Sequence, residues 1–124
     1  MQRSTAVERT QMSCRGREIL DRVADKWSLH VIAQLSEGTK RFMELRREVD
    51  GISQRVLTVT LRSLERDGLV TRTVYPVVPP RVEYDLTEFG TGLLPAVMPL
   101  ILWAEANLDK IDSSRATYDA ARDS

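Results

Sequence analysis

Ser53-Gln54-Arg55-Val56-Leu57-Thr58-Val59-Thr60-Leu61-Arg62-Ser63-Leu64-Glu65-Arg66-Asp67-Gly68 is the stretch whose reading decides the fold. Ser53 is a residue type that caps a helix start, and Gly68 one that ends a helix without steric cost. At about 100° per residue, Leu57, Leu61 and Leu64 fall on one stripe while Arg55, Val59, Arg62 and Arg66 fall opposite, with Thr58 flanking the outer side. The spacing therefore predicts a helix over 54–67 with an apolar inner face and an outer face of Arg, Thr and Gln.

Towards the N-terminus, Phe42, Leu45 and Val49 define a shorter helix that Thr39 can cap and Asp50-Gly51 interrupts. Before it, residues 16–25 and 27–36 each show helical spacing, and Glu37-Gly38 closes the second. A short helix, a glycine-containing break and a second helix with a polar outer face is the arrangement of a helix-turn-helix. A solvated amphipathic helix has the same pattern, and residues 69–86 decide between them. Leu69–Tyr75 and Arg81–Leu86 read as two strands, and Pro76-Val77-Val78-Pro79-Pro80 between them is a stiff loop that cannot continue a ladder. A hairpin directly after such a helix is a wing. The expected fold is mainly α with a small β-hairpin wing, a winged helix-turn-helix.

Thr87 and Glu88 suit the start of a last helical region with apolar residues at Leu93, Leu94, Val97, Met98, Ile101, Leu102, Ala104 and Leu108. Pro95 and Pro99 predict a kink or a restart there. This arc can fold back on its own domain, but its breadth favours cover by a second subunit. Residues 1–12 and 113–124 are expected to be flexible around a core of 14–111 in a single domain spanning 1–124.

The 124 residues carry no net charge, but nine basic residues face five acidic ones between 40 and 81, and three face eight from 82 onward. Unless this is random scatter, a basic middle and an acidic tail suit a protein of which one part meets phosphates. Composition, 42% hydrophobic and 29% charged, is that of a globular domain. The polar start is unlike a secretion signal and no stretch is long enough to span a membrane, so a cytoplasmic location is expected. One histidine, His30, and one cysteine, Cys14, exclude a metal set, a catalytic triad and an intramolecular disulfide. Glu83 and Asp85 share a strand face, but no nucleophile accompanies them. No enzyme activity, metal or cofactor is expected.

Asp25-Lys26-Trp27-Ser28-Leu29, Arg41-Phe42-Met43-Glu44-Leu45, Gly51-Ile52-Ser53-Gln54-Arg55-Val56-Leu57-Thr58 and Leu61–Arg72 recur in this order in one family. So do Tyr75-Pro76, Val78-Pro79-Pro80-Arg81-Val82-Glu83-Tyr84-Asp85-Leu86-Thr87, Gly90 and Trp103. From about Cys14 to Trp103 the chain resembles the HxlR-type bacterial winged-helix regulators of the MarR-like group. The resemblance implies a homodimer joined through its terminal helices, on a near-palindromic operator in double-stranded DNA. It also implies a role for Cys14, at the position where many members sense electrophiles or oxidants. Arg15, Arg17 and the helix start would favour its thiolate. With no second cysteine, a Cys14 to Cys14 bond between subunits, a mixed disulfide and alkylation all stay open.

The residues expected to read or bracket bases are Ser53, Gln54, Arg55, Thr58 and Arg62. Those expected on phosphates are Lys40, Arg41, Arg72 and Arg81. The expected activity is a homodimeric repressor released by modification of Cys14. The alternatives are the same repressor answering a small non-covalent ligand near the dimer interface, and a protein-interaction module.

Overall fold

Each of the first two helices starts where a side chain satisfies the backbone donors that a helix start leaves free. In the computed structural model, which describes residues 11–123, α1 (Cys14–Val23) is capped by Ser13, whose Oγ accepts from the Gly16 amide at 2.9 Å. Asp25 caps α2 (Lys26–Leu35), with Oδ2 accepting from the amides of Trp27 and Ser28 at 3.1 and 3.2 Å. The expected flexibility of residues 1–12 falls largely on positions outside the described residues.

Two residues then leave the helical path. Lys40–Arg41 form a short strand, β1, paired with the outgoing hairpin strand. Its formation corrects the expectation of a cap at Thr39. Helix α3 (Phe42–Glu48) begins only after β1, and the Arg41 amide at its start donates to Glu44 Oε1 at 2.8 Å. Thr39 instead turns its hydroxyl to the Asp85 carboxylate.

Helix α4 (Gln54–Arg66) follows as the sequence predicts, with Ser53 Oγ accepting from the Val56 amide at 3.1 Å. Its end is a closed turn: Leu69 N–H reaches Leu64 O at 3.0 Å, Gly68 N–H reaches Glu65 O at 3.0 Å, and Gly68 takes φ +82°. Only a residue without Cβ adopts that backbone cheaply. The hairpin strands β2 (Val70–Tyr75) and β3 (Arg81–Leu86) are antiparallel, from Val70 opposite Leu86 to Tyr75 opposite Arg81. The sheet order β1-β3-β2 places the central strand between the hairpin partner and the short strand.

The core lies where α2, α3 and α4 meet this sheet. Val31, Ile32, Leu45, Val49, Leu57 and Leu64 are fully excluded from solvent, and Tyr84 closes the cluster from β3.

Of the kink or restart expected from the prolines, the C-terminal part shows a restart. Thr87 caps only a four-residue helix, α5 (Glu88–Thr91), accepting from the Gly90 amide at 2.8 Å. The chain restarts as α6 (Leu94–Ala106), with Pro95 in the first turn, where its missing donor costs nothing, and Pro99 inside. Residues 113–122 continue α7 (Leu108–Arg122), of which no residue is buried. In α6 only Val97 is buried, while Leu100, Leu102 and Trp103 are exposed. No helix among the described residues is long and apolar enough to cross a membrane.

Gly90 is where α5 crosses the start of the hairpin. A Cβ there would lie 2.1 Å from the Leu69 carbonyl oxygen, so backbone would have to move. Gly90→Ala is expected to lower stability by about 1–3 kcal/mol, read as a lower urea midpoint.

Candidate nucleic-acid interface

Helix α4 buries Leu57, Thr60, Leu61 and Leu64, which leaves Arg55, Val59, Arg62 and Arg66 on the solvent side. Ser53 and Gln54 are exposed at its first turn. Thr58 is half-buried, and its hydroxyl donates back to Gln54 O at 2.9 Å. The five base-reading candidates therefore lie on or at the start of one helix, and four of them divide between two clefts that Ser53 does not line.

Gln54, Thr58 and Arg62 line a cleft of about 520 Å³ between α4 and the hairpin, where Arg72 and Tyr84 form the opposite wall. Glu65 lies at the same cleft and offsets part of its positive charge. Arg55, on the same solvent side, borders a neighbouring cleft of about 530 Å³ with Asp21, Asp25 and Trp27. A helix with its apolar side packed and a strip of Arg, Gln and Thr outward, beside a hairpin carrying another Arg, matches the shape and hydrogen-bonding needs of a DNA groove.

The four candidates for phosphate contact are not equivalent. Arg72 and Arg41 are exposed, and Arg41 borders a hollow on α3 that also includes Arg47, which is absent from the sequence candidates. The adjacent pair Arg46-Arg47 in the last turn of α3 is the signal that would have found it. Arg81 is half-buried at the root of the loop over 76–80: its guanidinium carbon stands 4.3 Å from the Tyr75 ring centre and its Nε 3.3 Å from Glu83 Oε2. That pairing fixes the arginine on the hairpin and leaves it less free to reach outward.

Lys40 stands apart from the other three. Its side chain is only 10% exposed, and Nζ lies 2.7 Å from Glu48 Oε1 and 3.0 Å from Glu37 Oε1. The hydrogen bonds it donates to Glu48 and Glu37 raise its pKa above the ordinary 10.5. Lys40 thus ties β1 to the end of α2 and to α3, and two carboxylates already occupy its ammonium.

Cys14 is the first residue of α1 and is exposed. Neighbouring Arg15 is engaged by Glu18 at 2.5 Å. Among the described residues no group of three His, Cys, Asp or Glu could hold a metal ion. The loop over 76–80 presents Val78 at 98% exposure, with the Val77 amide bonded to Tyr75 O at 2.8 Å.

Residues 22–112 match the family described as HxlR-like helix-turn-helix. The chain is 43% identical over 98 residues to the uncharacterized HTH-type transcriptional regulator YtfH of Escherichia coli (strain K12), covering 79% of this chain and 78% of that one. Among solved structures, ytfH of Salmonella typhimurium is 40% identical with a TM-score of 0.79, over 86% of this chain and 95% of that chain. The redox regulator HypR in its oxidized form is 47% identical with a TM-score of 0.70, over 76% and 97%.

Because the folded pKa of Lys40 is raised, the stability its ion pairs supply is complete below 10.5 and is lost as pH rises through the folded value. The difference in urea midpoint between the wild type and Lys40→Met is therefore expected to be constant near neutrality and to shrink above about pH 10.5. A difference that persists unchanged at high pH would assign the effect to packing of the lysine stem instead.

Proposed function

We propose that this chain, which belongs to the HxlR-like helix-turn-helix family of transcriptional regulators, binds a near-palindromic operator as a homodimer and represses the genes beside it. Membership of that family makes it a DNA-binding regulator and not an enzyme. The observation that carries the finer reading is the solvent side of α4: Gln54, Thr58 and Arg62 face Arg72 across one cleft, and Arg55 borders the next.

In this reading α4 lies in the major groove, Arg55 and Arg62 reading bases, with Ser53, Gln54 and Thr58 reading or bracketing them at the helix start. Arg41 and Arg72 hold phosphates, and Arg81 steadies the hairpin beside them. Lys40 is given no phosphate, since its charge is spent on Glu37 and Glu48. The homodimer is supported by α6, whose Leu100, Leu102 and Trp103 side chains are more than half exposed and need cover. Two recognition helices must then meet half-sites about 34–36 Å apart, a spacing that tolerates little displacement.

Cys14 is the proposed sensor. Its support is the exposed thiol at the first turn of α1 and the similarity to HypR, a redox regulator. Its thiolate can add to an electrophilic carbon, or two Cys14 thiols from paired subunits can form a disulfide, giving two electrons and two protons to an oxidant such as diamide. Either change alters the start of α1 and, through the dimer, the spacing of the two α4 helices.

The test is binding of the purified protein to its own upstream DNA, with and without diamide. Salt-sensitive binding that diamide abolishes in the wild type and leaves intact in Cys14→Ser is expected. Binding by Cys14→Ser that still collapses on treatment would exclude the thiol. Arg62→Ala is expected to lose about 1–3 kcal/mol of operator affinity and to relax preference at one base position. Equal loss on every sequence would reassign Arg62 to phosphate.

A further inference from the structure

The charged residues that line the cleft between α4 and the hairpin are two arginines and one carboxylate: Arg62, Arg72 and Glu65. Gln54, Thr58, Arg62 and Glu65 follow one another at helical spacing, so they form the flank of α4 that looks towards the hairpin.

Folding gives no reason for an acid at position 65. The side chain is exposed, and its carboxylate takes part in no ion pair or side-chain hydrogen bond among the described residues. It stands in the last turn of α4, the end of a helix at which the aligned peptide dipoles disfavour negative charge. Arg66 beside it has the favoured sign.

The position gains meaning beside a duplex, a step that rests on the DNA-binding reading above. With α4 in the major groove and Arg72 on a phosphate, the strand carrying that phosphate runs between the helix and the hairpin. Glu65 then opposes the strand in the same cleft where Arg62 and Arg72 attract it, and at such short range like charges cancel much of that attraction. A carboxylate can also accept from the amino group of cytosine, but base edges are met by the first turns of a recognition helix. Glu65 lies eleven residues, about 16 Å, beyond Gln54.

We propose that Glu65 limits affinity: its carboxylate faces the phosphate strand held between α4 and the hairpin and offsets about one phosphate contact per subunit. Phosphates carry no sequence, so the reduction is the same on operator and on unrelated DNA. Protein bound at random is held by phosphate contacts alone, and Glu65 loosens that hold while leaving the base contacts of α4 in place.

The experiment is a salt titration of DNA binding by the full-length protein, on its own upstream DNA and on a scrambled duplex of the same length, between about 0.05 and 0.2 M salt. Glu65→Gln should steepen the fall of log affinity with log salt by about 0.9 per subunit on both duplexes. Curves that differ by this slope and meet near 1 M salt stand about eightfold apart per subunit at 0.1 M, with the variant the tighter. Arg72→Ala should flatten the slope by a similar amount, and the double variant should return it close to the wild-type value. The urea midpoint of Glu65→Gln should equal or exceed that of the wild type, since no contact within the fold is lost. An unchanged slope overturns the inference, as does weaker binding by Glu65→Gln. Tightening confined to the upstream DNA assigns Glu65 to a base and overturns it as well. Wild-type binding that ignores salt overturns the DNA-binding reading and this inference with it, whereas salt-sensitive wild-type binding keeps that reading whatever Glu65→Gln does.

Discussion

The junction between the end of α4 and the start of α5 is the constraint on which the rest of the structure depends. Gly68 turns the chain in a conformation closed to other residues at low cost, and Leu69 returns its amide to Leu64. Thr87 then locks the far end of the hairpin to the same point: its hydroxyl donates to Gly68 O at 2.7 Å and its amide to Leu69 O at 3.0 Å. Gly90 closes against the Leu69 carbonyl with no room for a side chain. The direction of the hairpin relative to α4 is thereby set by backbone contacts, which neither fray nor adopt new rotamers as long surface side chains do. Arg62 and Arg72 share one cleft because of that lock.

Much of this was legible in the residues. Ser53, Leu57, Leu61, Leu64 and Gly68 specify α4 by local chemistry alone, and the β-branched run before three prolines specifies the hairpin. Where reading failed, the deciding contact was distant in sequence. Lys40 and Arg41 become a strand only because Tyr84 and Glu83 lie alongside, more than forty positions later, and no local propensity announces that pairing. Thr39, a good cap by type, lost the helix start to this strand and found Asp85 instead. Residues 113–122 read as a tail because they lack an apolar stripe, yet they continue a helix whose surface is wholly exposed.

The same limit applies to charge. Counting basic residues treats Lys40, Arg72 and Arg81 alike, but folding separates them. Two carboxylates surround Lys40, one from α3 and one from the turn after α2. Tyr75 and Glu83 hold Arg81, and Arg72 remains exposed. The pattern along the chain marks a basic region, and only the packed structure tells which of its cations are left exposed.

The uneven order of charge along the chain has a physical consequence. A body with no net charge feels no overall pull towards a polyanion, yet residues 82–107 hold Glu83, Asp85, Glu88 and Glu105 and no basic residue, with Glu88 and Glu105 exposed, while the arginines of α4 lie on another part of the chain. Two such poles in the steep field near a phosphate backbone experience a torque before any contact forms. A DNA-binding molecule with such poles would be turned basic side first during approach. Added salt shortens the range of that field, so orientation would then be left to chance collisions within about one Debye length.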